Sequence, residues 1–306
     1  MLPAYFSYGE EVVFGTLEIE NFQSDILGER RLLFYQPNSL EINQNTSFII
    51  VQDGQYLFDA EVNWVKQEWG VDETLKSLSE RDGALNIVII GVDNAAAFNG
   101  GKMIDETKRY AEYFPKQTID YLNRGFRKFA YRNFVEVKKF NYLEFLEKEL
   151  IPHIENKFNT NLNSDNLGIM GASMGGLISL NALIELPDKF GFAGSFSTHW
   201  IGIRPLDYFL FPFRKEIKFL GDRYVTEAIY SYILENIDVL KDKKIYLDRG
   251  TESLDKFYAE PHKNIEELFS ANSIFYEGRI FEGLGHTPED FGKRFEGALN
   301  FLIEVR

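Results

Sequence analysis

One hexapeptide constrains this chain more than any global property. Gly171-Ala172-Ser173-Met174-Gly175-Gly176 follows a short apolar strand, Leu167 to Met170, and opens an apolar helix running from Met174 to about Leu186 and closed by Pro187. The G-x-S-x-G spacing in that setting puts a serine on a strained strand-to-helix turn. Glycines two before and two after Ser173 remove the Cβ atoms that would clash in so sharp a turn, so the hydroxyl stands above the sheet edge. The loop is not a dinucleotide cradle, because the G-x-G-x-x-G spacing is absent there.

The surrounding elements fit that turn. Apolar or aromatic runs at Val12 to Glu20, Arg31 to Gln36 and Ser47 to Gln52, each closed by Asn, Pro, Asp or Gly, read as strands. The run Asn86 to Val92 is apolar without alternation, as expected for a strand covered on both faces of a parallel sheet. Leu143, Leu146, Leu150, Ile154 and Phe158 recur at steps of three and four, the stripe of a helix packed on a sheet, which Pro152 should kink or restart. Further units follow: a strand at Phe192 to Ser197, a strand at Lys244 to Asp248 before a helix from Asp255 to Ala271, and a strand at Ile274 to Glu282 before a last helix. Such alternation predicts a mainly parallel sheet with helices on both faces. With 306 residues, 44% hydrophobic content, and no linker, repeat or low-complexity tract, the chain reads as one domain, 1–306.

A serine hydroxyl becomes a useful nucleophile only when an imidazole takes its proton, so the histidines matter. There are four: His153, His199, His262 and His286. His286 lies in the glycine-rich loop Phe281 to Thr287 after the last predicted strand, where the order serine, acid, histidine places the base. His153 and His262 read as ordinary helix residues. His199, in Ser197-Thr198-His199-Trp200, follows the strand after the elbow helix, so His199 and Trp200 are candidates for the pocket mouth. The acid should lie between Ser173 and His286, near a strand end, and Lys244 to Asp255 offers three carboxylates. Asp255 ranks first, with an N-cap as its structural alternative; Glu252 comes second; Asp248, which terminates the strand, comes third.

With those residues in view the chain resembles the putative-esterase family of α/β-hydrolases, which includes S-formylglutathione hydrolase (esterase D), enterochelin, feruloyl and acetylxylan esterases, and mycolyltransferases. The likeness runs from about Arg31 to the carboxyl end. It rests on Val51-Gln52-Asp53-Gly54, Glu149-Leu150-Ile151-Pro152, Gly171 to Gly176, Asp248-Arg249-Gly250-Thr251 and Gly285-His286. The resemblance implies an acid after the Gly-Thr turn, similar to Asp255-Lys256-Phe257-Tyr258 if two residues are inserted, which keeps Glu252 in contention. It also implies an oxyanion hole from the backbone N–H groups of Met174 and Gln55, two fixed donors of the kind a tetrahedral intermediate needs.

The expected activity is hydrolysis of a small-molecule carboxylic ester through an acyl-serine, without cofactor or metal. Acyl transfer on the same residues, and a non-catalytic binding protein on a hydrolase fold, are the alternatives. Two aromatic stretches, Arg109 to Pro115 and Leu206 to Phe213, could shape a pocket or pack as satellite core, the second within a possible cap insertion at 200–243. A formal charge of −14 argues against a nucleic-acid partner. Cysteine is absent, which excludes disulfides, thiolate metal sites and a cysteine nucleophile. No basic leader precedes an apolar run at the amino terminus, and no stretch approaches the roughly 18 apolar residues of a membrane span, so a cytoplasmic location is expected.

Overall fold

The structure, a computed structural model, describes residues 11–38, 40–63, 65–97, 106–122, 125–136, 139–204 and 221–303. Its centre is an eight-stranded sheet built from β1 (Thr16–Ser24), β2 (Gly28–Gln36), β3 (Ser47–Gln52), β4 (Ile87–Val92), β5 (Leu167–Ala172), β6 (Phe192–Phe196), β7 (Lys244–Gly250) and β8 (Tyr276–Phe281), in the order β1-β2-β4-β3-β5-β6-β7-β8. The first two strands form an antiparallel hairpin whose second strand joins β4 antiparallel. From β4 to β8 every pairing is parallel. This is the α/β-hydrolase sheet, mainly parallel.

Among the described residues the α-helices are α1 (Val71–Asp82), α2 (Glu106–Tyr113), α3 (Phe126–Glu136), α4 (Tyr142–Phe145), α5 (Ile151–Phe158), α6 (Met174–Glu185), α7 (Arg223–Glu235), α8 (Ala259–Ala271) and α9 (Pro288–Leu302). The period-two geometry of a strand explains how they share the sheet. In β3, Phe48 and Ile50 point into one core with residues of α5, α6, α7 and α8; Ile49 and Val51 point into the other, with Val71, Leu75 and Leu78 of α1 and Phe291, Phe295 and Leu299 of α9. A strand apolar at every position is therefore required between two helical layers, and β4, wholly buried, meets that requirement.

Several element boundaries differ from the sequence reading. β1 begins at Thr16 rather than Val12. Gly15 has φ +84°, and a Cβ there would lie 2.4 Å from the Gln36 carbonyl, so the chain turns before it can pair. Tyr142 to Phe158 is helical throughout but changes type ahead of Pro152: α4 passes into a π-helical turn at Leu146–Leu150, and α5 opens at Ile151 with the proline in its first turn, the restart expected of Pro152. The predicted helix from Asp255 splits into a 3₁₀ segment, Ser253–Tyr258, followed by α8. Of the possible cap, Leu206 to Phe213 lies outside the described residues. Helix α7, within the same interval, buries Val225, Ile229, Tyr232 and Ile233 in the core. Among the described residues no helix is long and apolar enough to cross a membrane.

Candidate active site

The turn after β5 carries Ser173 at φ 59°, ψ −119°, a conformation that side chains rarely adopt. Three backbone bonds hold it there: Ser173 N–H donates to Phe196 O at 2.8 Å, while its own carbonyl accepts from Leu177 N at 3.2 Å and His199 N at 3.1 Å. Gly171 and Gly175 meet backbone to backbone across the turn, since a Cβ on Gly171 would lie 2.6 Å from the Gly175 carbonyl carbon. Sheet and helix thus impose the strain and lift the serine to the carboxyl edge of the parallel strands, where ligands bind in open α/β sheets.

His286 sits between β8 and α9, one residue before the helix cap Thr287. Its backbone N–H donates to Ser253 Oγ at 2.8 Å, which ties the loop to the segment carrying the acid. The imidazole Nδ1 lies 2.6 Å from Asp255 Oδ1. A carboxylate only accepts, so Nδ1 carries the proton and Nε2 is left with its lone pair. Asp255 is fully buried and its other oxygen accepts from Ser197 Oγ at 2.5 Å and Gly250 N at 2.7 Å. Burial alone would push this carboxyl up, but the hydrogen bonds and charge of His286, with the bonds from Ser197 and Gly250, bring it below the usual aspartate value. His286 itself is held below an ordinary histidine, chiefly by burial and against the pull of Asp255, with Arg109 and Arg294 adding to the depression.

The other two candidate carboxylates lie elsewhere. Glu252 is exposed and pairs with Lys256 at 2.7 Å. Asp248 is buried at the end of β7, where Arg294 Nη1 reaches it at 2.8 Å; burial still raises it to about 6. Asp255 is not an N-cap, since it lies inside the 3₁₀ segment, two residues past Ser253.

Four contributors escaped the sequence reading. Arg294 of α9, with no exposed side-chain surface, donates to Asp248, to Ser197 Oγ at 3.0 Å and to Gly285 O at 2.9 Å, and stands 3.8 Å from Asp255. Its signal was available: an arginine on the face that Phe291, Phe295 and Leu299 bury has no reason to be there unless an anion waits inside. Ser197 links Arg294 to Asp255. Tyr258 places its hydroxyl against Ser173 and 2.8 Å from His199 Nδ1. Arg109 of α2 chelates Asp53 beside the elbow.

His199 is buried, and burial with the nearby charges of His286 and Arg109 lowers it to about 3, so it is neutral throughout the working range. Trp200 is fully buried within the larger core, as are Tyr110, Tyr113 and Phe114 of the first aromatic stretch; these four pack as core. Met174 begins α6 and Gln55 sits inside the 3₁₀ turn Gly54–Tyr56, so both backbone N–H groups belong to first turns, where donors have no acceptor within the helix. Among the described residues there is no cluster of His, Cys, Asp and Glu that could hold a metal ion.

A serine on a strained turn, an imidazole with its lone pair free at Nε2, and a buried carboxylate orienting that imidazole can together carry out proton transfer and nucleophilic attack. The comparisons agree in kind. The sequence pattern of the family described as "Putative esterase" matches residues 24–302. A Bacillus subtilis protein described as "Uncharacterized protein YbbA" is 29% identical over 175 residues, 56% of this chain and 58% of that protein. The match thus spans little more than half of that curated relative. A solved ferulic acid esterase superposes with a TM-score of 0.66 at 17% identity, over 96% of this chain and all of the other. The BES protein from Bacillus cereus gives 0.61 at 17% identity, covering 96% and 97% of the two chains. FphF, a fluorophosphonate-binding serine hydrolase of Staphylococcus aureus, gives 0.57 at 13%, covering 94% and 98%.

Proposed function

The chain belongs to the putative-esterase family, and from that premise we propose that it is a serine carboxylesterase acting through an acyl-serine intermediate. The observation that carries this reading is the 2.6 Å contact between Asp255 and His286, made on the same sheet edge as Ser173. Family membership and the esterase and serine hydrolase neighbours support ester hydrolysis in general.

In this mechanism Ser173 Oγ attacks the acyl carbon while its proton passes to His286 Nε2, and Asp255 stabilises the imidazolium that results. The tetrahedral oxyanion accepts from the N–H groups of Met174 and Gln55. Collapse expels the alkoxide, which takes the proton from His286. Water then repeats the sequence on the acyl-serine, releasing the carboxylic acid and restoring the hydroxyl. Because Nε2 enters the cycle unprotonated, the depressed basicity of His286 keeps the enzyme ready at neutral pH.

For substrates, the neighbours direct the search toward aryl acids and siderophores. One is solved with ferulic acid, and another is named as an enterobactin and salmochelin hydrolase. A panel of p-nitrophenyl acyl esters of rising chain length, with feruloyl, acetyl-sugar and catecholate siderophore esters, tests the reading. Product should appear with at least one of them, Ser173→Ala should abolish it while keeping the fold, and a fluorophosphonate should label Ser173 alone. A folded Ser173→Ala variant with full activity would overturn the assignment.

A further inference from the structure

The sheet edge holds an ion pair that the mechanism above does not use. Asp53 follows β3 directly and sits at the N-cap of the 3₁₀ turn that contains Gln55, and its backbone is left-handed, φ 61°, ψ 48°. Arg109 Nε donates to Asp53 Oδ1 and Nη2 to Oδ2, both at 2.7 Å, the two-pronged geometry of a guanidinium on a carboxylate. The same Nη2 reaches the Ala172 carbonyl at 3.2 Å, the peptide oxygen just before Ser173. Asn94 Nδ2 adds a 2.6 Å bond to Asp53 Oδ1. The carboxylate also lies against the first turn of α6: a Cβ on Gly175 would be 3.1 Å from Asp53 Oδ2.

Both members are largely buried, with 15% of the arginine and 7% of the aspartate side chain exposed. Withdrawing two charges from water is costly, and a buried pair is weak evidence for stability. What a planar guanidinium does supply is fixed distance. Its nitrogens here grip oxygens from two chain segments that meet nowhere in sequence, the β3 turn and the β5 elbow. Each segment carries one of the two backbone donors assigned to the oxyanion, Gln55 two residues after Asp53 and Met174 two residues after Ala172.

We propose that the Asp53–Arg109 pair is a positioning brace that sets the separation of the Gln55 and Met174 N–H groups, so that both converge on the oxyanion formed at an ester bound to Ser173. The inference rests on the serine-esterase reading. It makes Arg109 a residue that acts on the transition state through the backbone and not through contact with substrate. Oxyanion donors discriminate a tetrahedral oxygen from a planar carbonyl only when held in place, and the loss of one donor typically costs about 100-fold or more in turnover.

The test uses wild type, Arg109→Lys, Arg109→Ala and Asp53→Asn on a p-nitrophenyl ester that wild type cleaves. Wild type must first be labelled at Ser173 by a fluorophosphonate; absence of labelling would overturn the serine-esterase reading and this inference with it. Given labelling, kcat should fall about 100-fold in Arg109→Ala and Asp53→Asn with KM changed by less than about threefold. Inhibition by a trifluoromethyl ketone, whose hemiketal oxygen mimics the oxyanion, should weaken in parallel, and millimolar methylguanidinium should restore part of the turnover of Arg109→Ala. Arg109→Lys, which keeps the charge but loses the fork, should remain impaired and serves if the alanine variant does not fold. Unchanged kcat in folded variants, or a loss confined to KM, would overturn the brace.

Discussion

At the residue scale the proposed mechanism turns on the charge of one imidazole. Burial holds His286 below the 6.5 of an ordinary histidine even though Asp255 pulls the other way. In the proposed mechanism the neutral form is the active one, so kcat/KM should rise with pH, reach its midpoint below 6.5 and then stay level until another group titrates. A pH profile with an ester that does not itself ionise measures this; a midpoint above the ordinary imidazole value would contradict it. Asp255→Asn puts an amide opposite Nδ1 and favours the wrong tautomer, so turnover should fall by about three to four orders of magnitude with the fold retained. Glu252→Gln should leave turnover within about twofold, because that carboxylate is solvated and tied only to Lys256. Steady-state rates for the two variants, side by side, decide between the carboxylates.

At the scale of elements, α9 reaches into the candidate site at several points without carrying any of the three side chains of the proposed triad. Arg294 connects it to β7 through Asp248, to the loop after β6 through Ser197, and to the base loop through Gly285. Arg294→Leu should destabilise by about 3–5 kcal/mol, since Asp248 would be left buried without its counter-charge. Adding Asp248→Asn should recover part of that loss, and urea unfolding of both single variants and the double variant supplies the cycle. Turnover should also drop in the single arginine variant, because the peptide preceding His286 loses its donor. The sequence contained a trace of this arrangement in the polar residue on an apolar helical face. It did not contain the partner, because nothing local relates position 294 to 248.

On the scale of the whole molecule, two helical layers on one sheet create interiors deep enough to hold histidines uncharged. His262 of α8 is almost fully buried, and burial with the charge of Arg249 lowers it to about 4. An unfolded histidine binds a proton near 6.5 that the folded one refuses, so His262 supports stability above 6.5, and that support is lost as pH falls toward 4. A His262→Gln variant lacks this titration. Its stability relative to the parent should therefore improve by about 1.4 kcal/mol for each pH unit between 6.5 and 4, measured by chemical unfolding. Glu68, raised by burial to about 7, and Asp72, raised likewise to about 6, act in the opposite sense, and being common to both proteins they cancel in the comparison.

Periodicity and turn chemistry are local, and what depends on them was determined by the sequence itself. The wholly apolar β4 run demanded two covering layers, the glycines around Ser173 demanded a tight elbow, and the glycine-rich loop after the last strand held the histidine that meets a carboxylate. The sequence also narrowed that carboxylate to Asp255, Glu252 or Asp248. Choosing among them needed the tertiary structure, because the three share one short stretch and differ only in what surrounds them: a histidine 31 residues away, a surface lysine, or an arginine from the last helix. The same holds for Tyr258 and for the Asp53–Arg109 pair, whose partners lie 59 and 56 residues apart. Long-range side-chain pairing is fixed only when the sheet brings strand ends together, and at the edge of this sheet it assembled the buried charges around the candidate site.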